Sequence, residues 1–303
     1  MLSDKEIVCP NNLLNVAHQK KGILAGVVNA GKSITMMSVM DAVNENLIIP
    51  VFIGNKQEIE KCAVDLNFDI SEFKIIDEKD ENKTSVVAAE LASESKIKII
   101  VKGHIHTDVL MKEIIKKKYN LIGKTRLSHI WHMTLDKEDK PLIITDGALN
   151  VNPNVKTKMH ILKNVINFCE RIGNERPKVS ILSATEEVLE SVQSSLDAKQ
   201  ITELSKKENL NADVFGPLAF DNSISKKSAE IKGIKNMVAG NADVLLVPNV
   251  ETGNALVKIM VYFMGACAAG VVVGGKVPVV ITSRSDVATA RLASIAAAIV
   301  ALD

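Results

Sequence analysis

Residues 277–286 read VPVVITSRSD, and residues 287–302 read VATARLASIAAAIVAL. The first six are apolar and mostly β-branched, the composition of a buried strand. In the second stretch Ala288, Leu292, Ile295, Ile299 and Leu302 recur at steps of four and three, which lays one apolar stripe along a helix. Ser283, Arg284, Ser285 and Asp286 therefore stand where a strand ends and a helix begins. Free helix N–H groups and the helix dipole favour negative charge at such a junction. A hydroxyl, a guanidinium and a carboxylate gathered there point to phosphate chemistry.

The same kind of unit recurs along the chain. Val/Ile-rich runs stand at ILAGVVNA (23–30), IIPVFIG (48–54), KIIVKG (98–103), PLIITD (141–146), KVSILSA (178–184) and DVLLVPN (243–249). Helical patterns lie between most of them, including SITMMSVMDAVNEN (33–46) and TKMHILKNVINFCERIG (157–173). Near-continuous β-branched strands with helices between them predict an α/β fold with a mainly parallel sheet. A chain of 303 residues with 47% hydrophobic content can fill two cores. The predicted domains are residues 1–135 with 271–303, and residues 136–270. The charged turn LDKEDKP (135–141) is the predicted crossing.

Composition narrows the function. Lys+Arg number 37 against 36 for Asp+Glu, a net charge of +1, which lacks the basic balance of a nucleic-acid binder. The run Lys116–Lys118 reads as a solvated helix face. Cys9, Cys62, Cys169 and Cys267 form no CxxC pair and fit a reducing cytosol better than a disulfide framework or zinc ribbon. Cys169 and Cys267 sit in apolar segments and are expected in the core. The N-terminus MLSDKEIVCPNN has no signal-peptide character. The longest apolar stretch, 259–275, is bounded by Lys258 and Lys276. It is short for a membrane span and divides into a buried helix over 254–269 and a strand near 271–273.

GVVNAGKS (26–33) satisfies the phosphate-loop pattern G-x-x-x-x-G-K-[ST], and Asp146 after LIIT resembles its metal-binding aspartate. Such a loop needs a strand that stops at the first glycine. Val27 and Val28 instead extend the apolar run, so a strand reaching Ala30, then a turn and a helix from Ser33, is the better fit. A phosphate-loop nucleotide hydrolase is the alternative.

Read in order, the later phrases resemble those of the phosphate acetyl/butyryl transferases, most closely the butyryl branch. They are LSHI (127–130), ITDGALNVNP (144–153), PKVSILSATEEV (177–188), SSLDA (194–198), GPLAFDNSIS (216–225), AGNADVLLVPNVETGN (239–254) and VPVVITSRSD. The resemblance is strongest after residue 120. It implies a fold like the isocitrate and isopropylmalate dehydrogenases, with two α/β domains, an interdomain cleft and a homodimer. It implies the cytoplasmic reaction acyl-CoA + phosphate ⇌ acyl phosphate + CoA, with CoA as a substrate, no metal and no tightly bound cofactor. Neither nucleic acid nor membrane is an implied partner. A non-catalytic relative that binds CoA or phosphate is a further alternative.

That reaction needs a base for the thiol, a cation for phosphate and a hydrogen-bond donor for the carbonyl oxygen. By resemblance, Arg284 binds phosphate and Ser283 donates to the carbonyl or phosphate oxygen. Asp286, the nearest carboxylate, is the candidate base, or else a helix N-cap. The acetyl branch carries its base further along, after an insertion that this chain lacks. Thr107, Gly253, Asn254 and Lys258 are substrate-binding candidates. Gly253 and Asn254 open a helix and could equally serve packing, and Lys258 could simply snorkel. His104 and His106 alternate after a strand, which points them to opposite faces if the chain is extended, and so predict no metal site. Ser128 and His129 read as core or hinge residues, and Asp146 and Asn150 as shapers of the domain crossing.

Overall fold

The computed structural model describes residues 2–137, 140–282 and 286–302. Ser283, Arg284 and Ser285, and residues 138 and 139 of the charged turn, lie outside the described residues. The chain forms two compact units. One contains Ile7–Lys124, Asp136–Glu138 and Cys267–Asp303; the other contains Met1–Glu6, Thr125–Leu135 and Asp139–Ala266.

The first unit begins with α1 (Asn11–Ala17), β1 (Ile23–Val28), α2 (Ser33–Asn44), β2 (Ile48–Gly54) and α3 (Lys56–Asp65). It continues through β3 (Lys74–Asp77), α4 (Glu81–Ser93), β4 (Ile99–Lys102) and α5 (Thr107–Ile114). The second unit holds β5 (Ser128–Thr134), β6 (Leu142–Thr145), α6 (Val155–Arg171), β7 (Lys178–Leu182), α7 (Gln193–Lys207) and β8 (Asp213–Leu218). Then come α8 (Phe220–Ile224), α9 (Lys226–Ile231), β9 (Val244–Leu246) and α10 (Val250–Met264). The chain returns to the first unit with β10 (Cys267–Val273), β11 (Val279–Val280) and α11 (Ala288–Val300). Side-chain caps start several helices: Asn55, Asp80, Asn154 and Asn249 each accept from an N–H of the first turn.

In the first unit the strand order is β3-β2-β1-β4-β11-β10, parallel among the described residues except where β10 meets β11. In the second it is β5-β6-β9-β7-β8, antiparallel only between β5 and β6 among the described pairs. The fold is α/β with a mostly parallel sheet, as the alternating pattern predicts. Near-continuous burial of β1, β2 and β4 accounts for their unbroken Val/Ile runs.

Several sequence expectations need correction. β1 ends at Val28, two residues early, because Asn29 turns the chain at φ 55°. Gly26 lies inside β1, paired to Val51 on one side and Ile100 on the other. A phosphate loop would require the strand to end at that glycine, so GVVNAGKS is a strand, a four-residue turn and the start of α2. Gly26 is there for packing: a Cβ would stand 2.5 Å from Ile97 Cδ1.

The strand expected over 277–282 is only two residues long, since Pro278 has no N–H to give and the ladder stops after Val280. The helix expected over 254–269 runs from Val250 to Met264. The Asn249 cap starts it earlier, and Gly265, left-handed at φ +67°, stops it. Nor is it buried throughout: Ile259, Phe263 and Met264 are exposed. The single stripe expected on α11 is instead a helix buried on all sides from Ala290 to Val300, because β10, α1 and α2 all pack on it. Three strands were absent from the sequence reading: β3, β5 and β8. No helix among the described residues is long and apolar enough to cross a membrane.

Candidate active site

In the first unit the chain leaves β1 for β2 and β3 on one side, then places β4 on the other. The crevice beyond the carboxyl ends of such strands is where open α/β sheets hold ligands. The turn after β4 closes directly on the end of β1. Gly103 and His104 donate their N–H groups to the carbonyls of Val28 and Asn29 at 2.8 and 2.9 Å. Gly103 must be glycine, since a Cβ would stand 2.4 Å from each of those two oxygens. His104 and His106 are exposed, with Ile105 buried between them. Half-buried Thr107 then opens α5.

β11 runs parallel to β4, with Val279 opposite Ile100 and Val280 opposite Val101. The chain that leads to Ser283 and Arg284 therefore leaves the sheet at the edge where the Thr107 turn leaves it. Thr282, 5% exposed, has a hydroxyl that makes no hydrogen bond among the described residues. Asp286 is half-buried. The N-cap of α11 is Val287, one residue later, so Asp286 does not occupy the capping position that its alternative reading requires. Its carbonyl oxygen accepts from Nε of Arg291 at 3.1 Å. The turn that leads to Thr107 and the chain through Ile281 and Thr282 thus follow neighbouring parallel strands at the same end of one sheet.

The other candidates lie in the second unit. Gly253, buried in the first turn of α10, meets Gly147 so closely that a Cβ would be 2.7 Å from the Gly147 Cα. That contact supplies a packing reason for both glycines. Asn254 is exposed, and Lys258 holds its Nζ 5.7 Å from the Tyr262 ring centroid, a cation–π geometry. Asp146 is buried and acts as a hub. Its carboxylate accepts from the backbone N–H of His129, Ala148, Leu149 and Asn150, and from Asn150 Nδ2 at 2.7 Å. Ser128 Oγ accepts from Asn164 Nδ2 at 2.8 Å, and the fully buried His129 ring stacks at a tilt on Trp131 with centroids 4.4 Å apart.

Burial pushes all four thiols upward. Cys9 reaches about 12, mainly by desolvation and then by the nearby Glu45 charge. Cys62, Cys169 and Cys267 are also raised, again chiefly by burial. None is poised as a nucleophilic thiolate. Among the described residues no group of three or more His, Cys, Asp or Glu side chains could hold a metal ion.

Among the described residues, three buried cations have no counterpart in the sequence pattern: Lys158, 3% exposed, pairs with Asp197 at 2.7 Å in the second unit, and two lie in the first. Lys102, 5% exposed, closes β4, and Arg291, 5% exposed, lies in the first turn of α11. Burial lowers the Arg291 pKa while the charge of Asp286 opposes that shift. The available signal was a basic residue inside an otherwise apolar run, VKG in one case and ATARLAS in the other.

A family model described as phosphate acetyl/butaryl transferase matches residues 78–299. The chain belongs to this family. It is 36% identical over 285 residues to a phosphate acetyltransferase of Rickettsia typhi, covering 93% of this chain and 82% of that one. It is 33% identical over 290 residues to a phosphate butyryltransferase of Clostridium acetobutylicum, covering 95% and 96%. A crystal structure of a branched-chain phosphotransacylase from Enterococcus faecalis is 30% identical, with a TM-score of 0.81 over 92% of this chain and 98% of that one. The phosphate acetyl/butyryl transferase match spans the Thr107 turn, Gly253 to Lys258 and the SRSD segment alike.

Proposed function

We propose that this protein is a phosphate acyltransferase that interconverts acyl-CoA plus phosphate with acyl phosphate plus CoA. Family membership supports the reaction. The observation that supports its location is the parallel pairing of β4 with β11, by which the chain toward the Thr107 turn and the chain through Ile281 and Thr282 leave neighbouring strands at the same end of the sheet.

In the direction of acyl-CoA synthesis, the CoA sulfur attacks the carbonyl carbon of the acyl phosphate. The C–S bond forms, the C–O bond to phosphate breaks, and phosphate leaves with the bonding pair. Asp286 takes the thiol proton, Ser283 donates to the carbonyl oxygen as it gains charge, and Arg284 holds the phosphate oxygens. A thiol with a pKa of about 8.5 is only a few per cent ionised at pH 7, which is why a base helps. The raised pKa values of all four cysteines favour this direct transfer over an acyl-cysteine intermediate. No metal or tightly bound cofactor takes part. Thr107, Asn254 and Lys258 contact substrate, with Gly253 packed on Gly147 in the first turn of α10.

The two compact units are, on this reading, the two domains of an isocitrate/isopropylmalate dehydrogenase-like fold. The protein works as a cytoplasmic homodimer. The exposed apolar side chains of α10, namely Ile259, Phe263 and Met264, are a face for a second copy to cover. Phosphate-dependent release of free thiol from a series of C2 to C5 acyl-CoAs tests the reaction. Loss of that activity in a folded Arg284→Ala variant tests the site.

A further inference from the structure

Lys102 ends a strand whose other residues are Ile99, Ile100 and Val101, all buried. An ammonium taken out of water costs several kcal/mol unless oxygen atoms receive it. Here Nζ donates to the carbonyl oxygens of Ile105 at 3.0 Å and Gly103 at 3.3 Å. Both carbonyls belong to the turn between β4 and α5. The Gly103 carbonyl also accepts the Ile105 N–H at 3.0 Å, which tightens the same turn. Two further ties hold it: the end of β1 through Gly103 and His104, and Glu81, whose Oε1 accepts the His106 N–H at 2.8 Å. The turn delivers Thr107 as the first residue of α5. One step past the last ladder pair of β4 and β11, Lys102 comes level with Ile281, two residues before Ser283.

An aliphatic side chain would fill this place at the end of a buried strand without a desolvation cost. A lysine adds a positive charge in low dielectric, where its field on a nearby anion is stronger than in water. We propose that Lys102 is a positioning residue for the phosphate substrate: its ammonium clamps the 103–105 turn so that Thr107 faces the phosphate, and its charge favours the dianion there. The inference rests on the phosphate acyltransferase reading and deepens it.

The test compares wild type with Lys102→Met, Lys102→Arg and the exposed control Lys98→Met at the other end of the strand. Inorganic phosphate and acyl-CoA are varied separately, and the shift in Tm produced by inorganic phosphate is recorded. Lys102→Met is expected to raise KM for phosphate at least tenfold with KM for acyl-CoA within threefold of wild type, and to lose the phosphate-induced Tm shift. Lys102→Arg recovers part of the phosphate affinity, and Lys98→Met behaves as wild type. An unchanged phosphate KM in Lys102→Met, or an equal rise in both KM values, overturns the inference. Should methionine prevent folding, Lys102→Gln keeps a donor for the carbonyls without the charge. It must raise phosphate KM at least threefold, and a wild-type value in the folded glutamine variant overturns the inference equally. A wild type without phosphate-dependent turnover would instead strike the underlying reading.

Discussion

Nε of Arg291 lies 3.1 Å from the backbone carbonyl oxygen of Asp286, so a buried cation one turn into α11 holds the residue that ends the SRSD segment. A hydrogen bond to a charged group contributes about 1.5–3 kcal/mol, enough to set the position of a short connection. Arg291→Met keeps the apolar stem and removes the donor. We expect kcat/KM for acyl transfer to fall about tenfold or more, the equivalent of about 1.4 kcal/mol in the transition state. Steady-state kinetics beside a melting curve check this. Unchanged kinetics would show that the tie does not serve the reaction.

Asp146 is expected to serve stability alone. Its carboxylate receives four backbone N–H groups and the Asn150 amide inside the second unit. Asp146→Asn turns one acceptor oxygen into a donor that faces donors. A loss of about 3 kcal/mol in urea unfolding is expected. The surviving folded fraction should keep a wild-type KM for each substrate.

His132 gives a pH signature. Its ring is buried, neither nitrogen has a hydrogen-bond partner among the described residues, and burial lowers its pKa from 6.5 to about 4. The unfolded chain binds this proton more readily than the folded chain. The folded state is therefore favoured in full above pH 6.5, and that advantage is lost as pH falls from 6.5 to 4. The loss is on the order of 3 kcal/mol. Denaturant midpoints across this window should slope upward with pH in wild type and more gently in His132→Leu. Equal slopes in the two proteins would contradict the assignment.

Lys32 decides the phosphate-loop alternative. It is the exposed N-cap of α2, after a strand that passes straight through Gly26. Lys32→Ala should leave phosphate-dependent acyl transfer within about twofold of wild type, as expected of a surface substitution. Wild type with Mg²⁺ and ATP should release no phosphate above background. Magnesium-dependent hydrolysis abolished by Lys32→Ala would reverse this conclusion.

The repeating strand–helix rhythm was legible because parallel strands buried on both faces must be apolar throughout. β2 ends at Gly54 and α2 starts at Ser33, as their patterns indicated. β5 was not legible: SHIWHMT looks polar and aromatic, yet all seven residues are buried. β8 was hidden by Gly216-Pro217, a pair that argues against a strand interior, which the sheet absorbs by a register shift opposite Ser180 and Leu182. The apolar run after Asn254 gave no sign of which side of α10 would remain exposed. At the candidate site, the helix after the SRSD segment could be read from periodicity, while the strand before it is only Val279–Val280. Lys102 and Arg291 could not be read, because pattern reading sends charged side chains to the surface. Only coordinates reveal a cation buried against main-chain carbonyls.

The central claim is that this chain moves an acyl group between CoA and phosphate, with Arg284 holding the phosphate. The most direct measurement is the release of free thiol from acetyl-, propionyl-, butyryl- and branched C5 acyl-CoA, with and without inorganic phosphate, by wild type and Arg284→Ala. The account predicts release by wild type only when phosphate is present, with at least one of these acyl groups, and loss of at least 99% of it in a folded Arg284→Ala variant. Release independent of phosphate, no release with any of the four, or full activity in Arg284→Ala would contradict it.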